Sequence, residues 1–487
     1  MSMYRLQSSA NAVFGLVSTA KANTQLAIEK SNSLEKGFTL ANVPQAYPIA
    51  REVVREYAVD TFFRNAVPRV DFVGSLGFTY PVLRELNTNK VSGKVQDGRR
   101  GRFIQTNLEQ VSYVFKIWGF ENYITMNAQL ASESMDVRSQ GIAIVQETLS
   151  QMLSVEEEKK MIGGNLEALG LIESVTATVN TEVAGSLEAG DISVIAVPLT
   201  LEGLDKSSVE EGVQETHNEQ NADGSVTRIV GGYGVKKTIA AAVTVAAGNS
   251  LDIKVEDVPD AVGYAIFAGA AGSERLVFVG SSNVFNLKEI PTDTQLASAL
   301  AATDQSADVL DFNGIYALAG RNGGIVVSAD GKELTAEGSY VPMFEDVIGQ
   351  VRAKKARITH MVMDNITYTN YYKAVAKNIV NINSVNGSVV ANFGSQVLTY
   401  TSPNNAGTIT IIVSDYMPKG TIFFLDMGRA NGTLGLSGNM LEMVMQEDFN
   451  VIAWPLVTRS WQFGIYCTGV LTHKYPASIA IIKNLKV

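Results

Sequence analysis

The apolar positions of this chain fall into one long stretch of helical spacing and many short stretches of alternation. Between Ser134 and Asn165, Ile142, Val145, Leu149 and Met152 recur every three or four residues and predict one buried stripe. The other side carries Gln146, Glu147, Gln151 and the run Glu156, Glu157, Glu158, Lys159, Lys160. Glu156 stands four residues before Lys160, the spacing of a helical ion pair. Ser134 is the expected cap and Gly163-Gly164 the expected left-handed stop, which predicts a helix over 134–163, roughly 40 Å long.

Upstream, Phe78–Leu83 and Leu108–Trp118 predict a hairpin, with Val111, Tyr113, Phe115 and Ile117 on one face of the returning strand. Pro81 marks the outgoing strand as an edge. The polar segment between the strands is too long for an ordinary turn, so the pair should project as an extension. Val53, Val54, Tyr57, Ala58 and Phe62 predict an amphipathic helix over 49–65, stopped by Pro68. Residues 1–50, rich in Ser, Ala, Asn and Gln, predict an arm that needs a partner surface to become ordered. At the far end Trp461, Phe463, Ile465 and Cys467 alternate, as in a long final strand.

Beyond Gly170 the texture changes. Short runs at 174–179, 192–197, 250–255, 264–267, 276–279 and 284–287, separated by Gly, Ser, Asp and Asn, predict a small β-sandwich over 171–297. The stretch from Val258 to Leu287 resembles the middle strands of fibronectin-type or immunoglobulin-like domains, and Glu210–Thr227 reads as a long loop. From 298 to 440 helices at 340–353 and 367–379 alternate with strands at 358–363, 408–413 and 421–425, a mixed α/β pattern. Asn431-Gly432 and Gly435–Asn439 make a turn-rich junction before 441–487.

Composition narrows the function. With 487 residues, 46% hydrophobic and 18% charged, the chain can bury a large core divided among two or three domains. A net charge of −10 opposes broad, sequence-independent DNA binding, which needs a basic face. The single cysteine, Cys467, excludes an intrachain disulfide and is expected to be a buried, inert thiol. No run reaches the roughly 18 apolar residues of a membrane span. Ala12–Val17 is too short for a signal peptide.

Catalytic chemistry finds little support. His217, His360 and His473 are far apart and lack neighbours at metal-ligand spacing, so no metal, cofactor or catalytic residue is assigned. Gly231-Gly232-Tyr233-Gly234 before Lys236 has the wrong glycine spacing for a phosphate loop and reads as a turn. Asp97-Gly98-Arg99-Arg100-Gly101-Arg102 makes a basic tip on the extension. It suits a solvated turn, docking on a neighbouring subunit or, as a single arginine-glycine copy without aromatics, RNA.

The order of arm, extension, long helix and mixed domain resembles the major capsid proteins of tailed bacteriophages, the Hong-Kong-97-type fold shared with herpesvirus shells and encapsulins. The stretch Tyr113–Asn165, with YVFKIWGFENYITMNAQLASES leading in and MIGGN closing it, carries most of the likeness. The resemblance implies an α+β phage major-capsid fold. Its parts would be an N-terminal arm (1–50), a peripheral domain (51–170, with hairpin 72–119 and spine helix 134–163), the inserted sandwich, an axial domain (298–440) and a return to the peripheral domain (441–487). It implies self-assembly into the hexamers and pentamers of an icosahedral capsid, as part of a virion assembled in host cytoplasm. The implied partners are other copies of the chain, a separate scaffolding protein, a portal, and DNA enclosed without sequence-specific contacts; no membrane is expected. Ala27-Ile28-Glu29 and Ser33-Leu34-Glu35 resemble sites cut by some phage maturation proteases. Lys90 and Lys94 are candidates for the lysine of the crosslink some members form. Arg99, Arg100 and Arg102 would face Glu156, Glu157 and Glu158 of an adjacent subunit. An encapsulin-like compartment is the alternative within the fold, and a secreted β-rich adhesin the alternative outside it.

Overall fold

The computed structural model describes residues 59–82, 94–95, 97, 99–100, 109–133, 140–214, 217–220, 224–229, 231–337, 340–376, 383–385, 388–390, 399–405, 407–428, 439–456 and 459–486. The expected arm (1–50), Lys90 and Arg102 lie outside them. The chain is α+β. Its described part opens on a short helix, α1 (Phe62–Ala66), and residues 59–61 before it are not helical. The helix expected over 49–65 is therefore described only at its end.

Strand β1 (Arg69–Asp71) follows, then the extension, β2 (Gly77–Val82) paired antiparallel with β3 (Glu109–Val114). The returning strand is not continuous. At Phe115 the chain leaves the extension and enters β4 (Lys116–Thr125), which joins a different sheet. That change of partner breaks the alternation, so Phe115 is buried while Ile117, expected on the same face, is 68% exposed.

A short helix, α2 (Met126–Ser132), leads into the long helix α3 (Gly141–Gly163), about 34 Å long. The start differs from expectation. Gln140 is the N-cap residue and gives no side-chain cap. Ser132 Oγ instead accepts from Gly141 N at 2.9 Å, and Gln129 Oε1 accepts from Ile142 N at 3.1 Å. The first turn is thus capped by the preceding helix; Ser134 lies outside the described residues. The stripe also shifts, because Leu153 is buried while Met152 is exposed and Ile142 half-buried. The stop is not left-handed, since Gly164 has φ −55°. Its glycine is required for space: a Cβ there would lie 2.4 Å from the Phe312 carbonyl oxygen, and one on Gly163 would lie 2.4 Å from Leu201 Cβ.

Two sheets follow. In one, β6 (Gly190–Leu199) lies between β7 (Val243–Val245) and β9 (Gly263–Gly269), with β10 (Arg275–Gly280) outside β9. In the other, β8 (Asn249–Val255) lies between β5 (Val175–Ala184) and β11 (Val284–Leu287). Both contribute to one core, in which Ile192, Val194 and Ile266 meet Leu251, Ile253 and Leu287. The opposite face of β6 and β9 is covered as well, by Val213, Tyr233, Ala297 and Leu300. Double coverage explains why the apolar run GYAIFAG is buried at every position. The expected loop 210–227 contains His217–Gln220 paired with Val226–Ile229.

Helix α4 (Leu201–Lys206), between β6 and β7, packs against the end of α3. Helix α5 (Ile315–Arg321) precedes a six-stranded mixed sheet in the order β12 (Ile325–Ser328), β19 (Ile479–Lys483), β16 (Ile422–Leu425), β13 (His360–Met363), β15 (Thr408–Val413), β14 (Thr399–Thr401). Helices α6 (Pro342–Ala353) and α7 (Asn365–Ala376) accompany it. This sheet is a wall between two cores. Ile479, Ile481, Phe423 and Leu425 face α3 and α5, while Ala480, Ile482, Ile422 and Phe424 face α6. Last, β17 (Leu441–Ala453) and β18 (Ser460–His473) complete a sheet in the order β1–β17–β18–β4 that packs against α3. Cys467 is fully buried there, and burial pushes its thiol up to about 12.

Polar ties hold these parts in place. Arg321 Nε donates to Asp260 at 2.8 Å, and Arg321 Nη2 donates to Asn165 Oδ1 at 2.8 Å and to the carbonyls of Glu167 and Ala168. The buried Lys483 ammonium donates to Asp257 at 3.0 Å and to the carbonyls of Ala261, at 3.0 Å, and Val258. Removing one partner of a buried pair leaves the other charge uncompensated. Arg321→Ala should therefore cost about 3–5 kcal/mol, read as a lowered denaturation midpoint; an unchanged midpoint would refute this account.

Candidate functional site

Helix α3 continues its stripe at four-residue spacing: Val145, Leu149, Leu153, Glu157, Met161. That register carries Glu157 into the core, and Glu158 beside it is fully buried too. Glu157 pairs with both Arg64 and Arg69. Asp448 closes the cluster at 3.3 Å from Arg64 Nη2 and 3.1 Å from Arg69 Nη1, and the Arg64 guanidinium lies 3.8 Å above the Phe449 ring. Glu158 has a different task. Its two oxygens accept from the amides of Phe63 at 3.0 Å and Arg64 at 2.9 Å, in the first turn of α1. Thr61, the N-cap residue, gives no side-chain cap, so Glu158 does the capping from across the core.

This corrects the expectation that Glu156, Glu157 and Glu158 form an acidic docking face. Glu157 and Glu158 are consumed inside the chain, and only Glu156 stays partly exposed, 3.6 Å from Lys160. Arg99 and Arg100 are exposed, and no ion pair within the described residues engages them. Four-residue spacing was the sequence signal for Glu157. Nothing local signalled Glu158, whose partners are about 95 residues away.

Burial pushes Glu158 up to about 7, against the lowering effect of the two amides, and also raises Glu157 against its arginines. Burial drives His473 down to about 3 and lowers His360, so both rings are neutral at pH 7. Among the described residues no three His, Cys, Asp or Glu side chains are placed to hold a metal, and no helix is long and apolar enough to cross a membrane. A cleft of about 970 Å³ runs between the end of α3, the β10–β11 turn and the loop 415–419, with Lys159 and Asp205 paired at 2.6 Å in its wall.

Exposed apolar residues occur in several places, among them both ends of the β1–β17–β18–β4 sheet. Val73 (90% exposed), Leu76 (82%), Val114 and Ile117 surround the base of the extension. Val451, Trp454, Leu456 and Trp461 surround the tip of the β17–β18 hairpin. Monomeric proteins rarely leave such groupings bare.

No family model and no curated protein matches the chain by sequence. Among solved structures, it is similar to the capsid of a native GTA particle at 9% identity, covering 91% of this chain and 96% of that one, with a TM-score of 0.41. The capsid of Cyanophage A-1(L) is 10% identical over 91% of this chain and 97% of that one, with a TM-score of 0.43. For Gordonia phage Cozz the identity is 10%, the coverages are 92% and 93%, and the TM-score is 0.38. At TM-scores below 0.5 these likenesses assign no function.

Because burial holds Glu158 above the ordinary carboxylate value of 4.5, the folded state binds a proton more tightly than the unfolded chain. Its stabilising contribution is complete below pH 4.5 and is lost as pH rises to about 7. Glu158→Gln cannot titrate. Between pH 4.5 and 8 the stability of the variant relative to the parent should rise by about 3 kcal/mol, measured by denaturant unfolding. A constant difference would refute the assignment.

Proposed function

We propose that this chain is a structural subunit, the major capsid protein of a tailed bacteriophage, whose copies assemble into a closed shell around DNA. The observation that carries this reading is the base of the extension. Val73, Leu76, Val114 and Ile117 stand uncovered by the chain's own described residues, as in a subunit completed by a neighbour. The element order supports the same reading, since extension, long helix and mixed sheet follow one another as in the family the sequence resembles. Scaffolding protein, portal and enclosed DNA belong to the proposal as partners, and assembly in host cytoplasm as its setting. The tip bearing Arg99, Arg100 and Arg102 docks on a neighbouring subunit, with Glu156 the one residue of the acidic run still accessible to it.

Light scattering and negative-stain imaging of the purified full chain should show particles of many subunits. A chain that stays monomeric under all conditions overturns the reading. Changing Arg99, Arg100 and Arg102 to Glu should reduce assembly, most clearly at low salt, because exposed pairs of about 0.2–1 kcal/mol each are screened. Normal assembly of that variant would make the tip a solvated turn.

Residues 171–297 form an inserted domain in this proposal. Support comes from the chain leaving and returning at one place: Asp308 N donates to the Asn165 carbonyl at 2.9 Å, and Leu169 N to Ser306 Oγ at 2.9 Å. Replacing 171–297 by a short Gly-Ser bridge removes all three acceptors of the buried Lys483, namely Asp257 and the Val258 and Ala261 carbonyls. Excision alone should therefore yield little soluble protein, and excision with Lys483→Met markedly more, measured by soluble yield. Equal yields would mean that this lysine does not join the two parts.

A further inference from the structure

We propose that β4 is a docking edge whose occupant is β4 of a second copy, paired antiparallel about a two-fold axis; this rests on the assembly reading above and names one of its contacts. β4 is the outer strand of its sheet and pairs with β18 alone. Met126 N donates to the Arg459 carbonyl at 3.0 Å, and that pair continues the β4–β18 register. Even-numbered residues of β4 therefore bond to β18, and the N–H and C=O groups of Ile117, Gly119, Glu121 and Tyr123 point off the sheet. The Tyr123 amide agrees with that direction, since it donates to the Asn122 side chain at 2.8 Å and not to a strand. Among the described residues no strand pairs with this row.

An open edge of this length, 10 residues, is ordinarily blunted by proline, a bulge or outward charge. β4 contains no proline, and its pairing with β18 runs without a register shift. Its two charges turn back onto the chain: Lys116 donates to the Val309 carbonyl, and Glu121 accepts from the Tyr466 hydroxyl. The edge is left open to a strand.

The strand fits itself in one register. Centring the axis on Glu121 sets two carboxylates directly opposite each other. Centring it on Gly119 sets Tyr123 opposite Phe115, where the chain has left the sheet. With Phe120 on the axis, Ile117 lies opposite the partner's Tyr123 and Gly119 opposite the partner's Glu121. Every outward residue then exchanges both backbone bonds with a partner. Ile117, 68% exposed in the single chain, gains an aromatic neighbour. The two Phe120 side chains meet at a non-hydrogen-bonded pair, the closer of the two antiparallel spacings. A two-fold contact of this kind is closed, so growth beyond two copies uses other surfaces.

The test is disulfide trapping in the full chain, with Ile117→Cys and Tyr123→Cys made separately. In the proposed register positions 117 and 123 of two copies face each other with Cα atoms about 5.5 Å apart, within reach of a disulfide. Each introduced cysteine lies about 20 Å from its own counterpart. With oxidised glutathione under assembly conditions, an equal mixture should form a covalent dimer at least tenfold faster than either variant alone, read on a non-reducing gel. Cys467 is fully buried and does not contribute. A mixture no faster than the single variants overturns the contact, and particles formed by the same protein would leave the assembly reading intact. Trapped dimers from a parent that never grows beyond two copies keep the contact and overturn the shell. A strictly monomeric parent overturns both. Where either cysteine variant melts below the parent, Ile117→Pro decides, because it removes an outward amide that bonds nothing in its own chain. It should pair at least tenfold more weakly by sedimentation velocity, and unchanged pairing overturns the contact.

Discussion

Everything in this molecule depends on how closely the backbone can pack where α3 ends. A Cβ on Gly164 or Gly314 would lie 2.4 Å from the Phe312 carbonyl oxygen or 2.6 Å from that of Lys160, so three glycines, counting Gly163, permit the contact. Through it Gly314 N donates to the Gly164 carbonyl at 2.8 Å, which seats α5 on the end of α3. The Lys160 side chain, 3.1 Å from Asp311, neutralises charge in the same turn. From this point the chain departs into the paired sheets and returns to the six-stranded wall. A larger residue would separate α3 from α5, and the core they share with Phe312, Tyr316 and Phe423 would open.

Buried charge orients the parts that apolar packing alone would leave free to slide. Apolar contact is non-directional. A carboxylate with both oxygens committed to two amides is not, and Glu158 fixes α1 against α3 in one angular position. Glu157 does the same for β1 through Arg69, and Lys483 for the paired sheets through Asp257. Such groups add little net stability, because desolvation offsets most of their attraction. Their effect is on geometry. In the assembly proposed above, a subunit that meets identical neighbours at fixed angles would depend on geometry more than on depth of stability.

The sequence made the periodic elements legible and the long-range ones invisible. Strands at 408–413 and 284–287 stand where alternation put them, and α3 ends at Gly163 as its glycines indicated. The errors share a cause. Alternation puts Ile117 on a buried face only where a strand keeps one partner, and the chain changes sheets at Phe115. Glu157 is expected on an exposed docking face because a charged residue on a helix usually stays outside, yet its register belongs to the buried stripe. The caps of α1 and α3 come from Glu158, Ser132 and Gln129, outside the local motifs that capping rules search. Of the acidic run assigned to docking, two of three residues serve the core. The exposed apolar residues required the fold itself, since Val73 and Leu76 look like any turn or strand residue until their neighbours are placed.

Rigidity of this frame matters for any contact made at its edge. Association loses free energy whenever loops or side chains must be ordered at the contact. The β1–β17–β18–β4 sheet packs on α3, and α3 is held at its far end by the glycine contact and along its side by Glu157 and Glu158. The exposed residues at the base of the extension, Val73, Leu76, Val114 and Ile117, follow β1 or adjoin β4 and so hang from that sheet. In the proposed assembly the buried carboxylates, expected from the sequence to dock, act indirectly, by holding the frame to which the extension is attached.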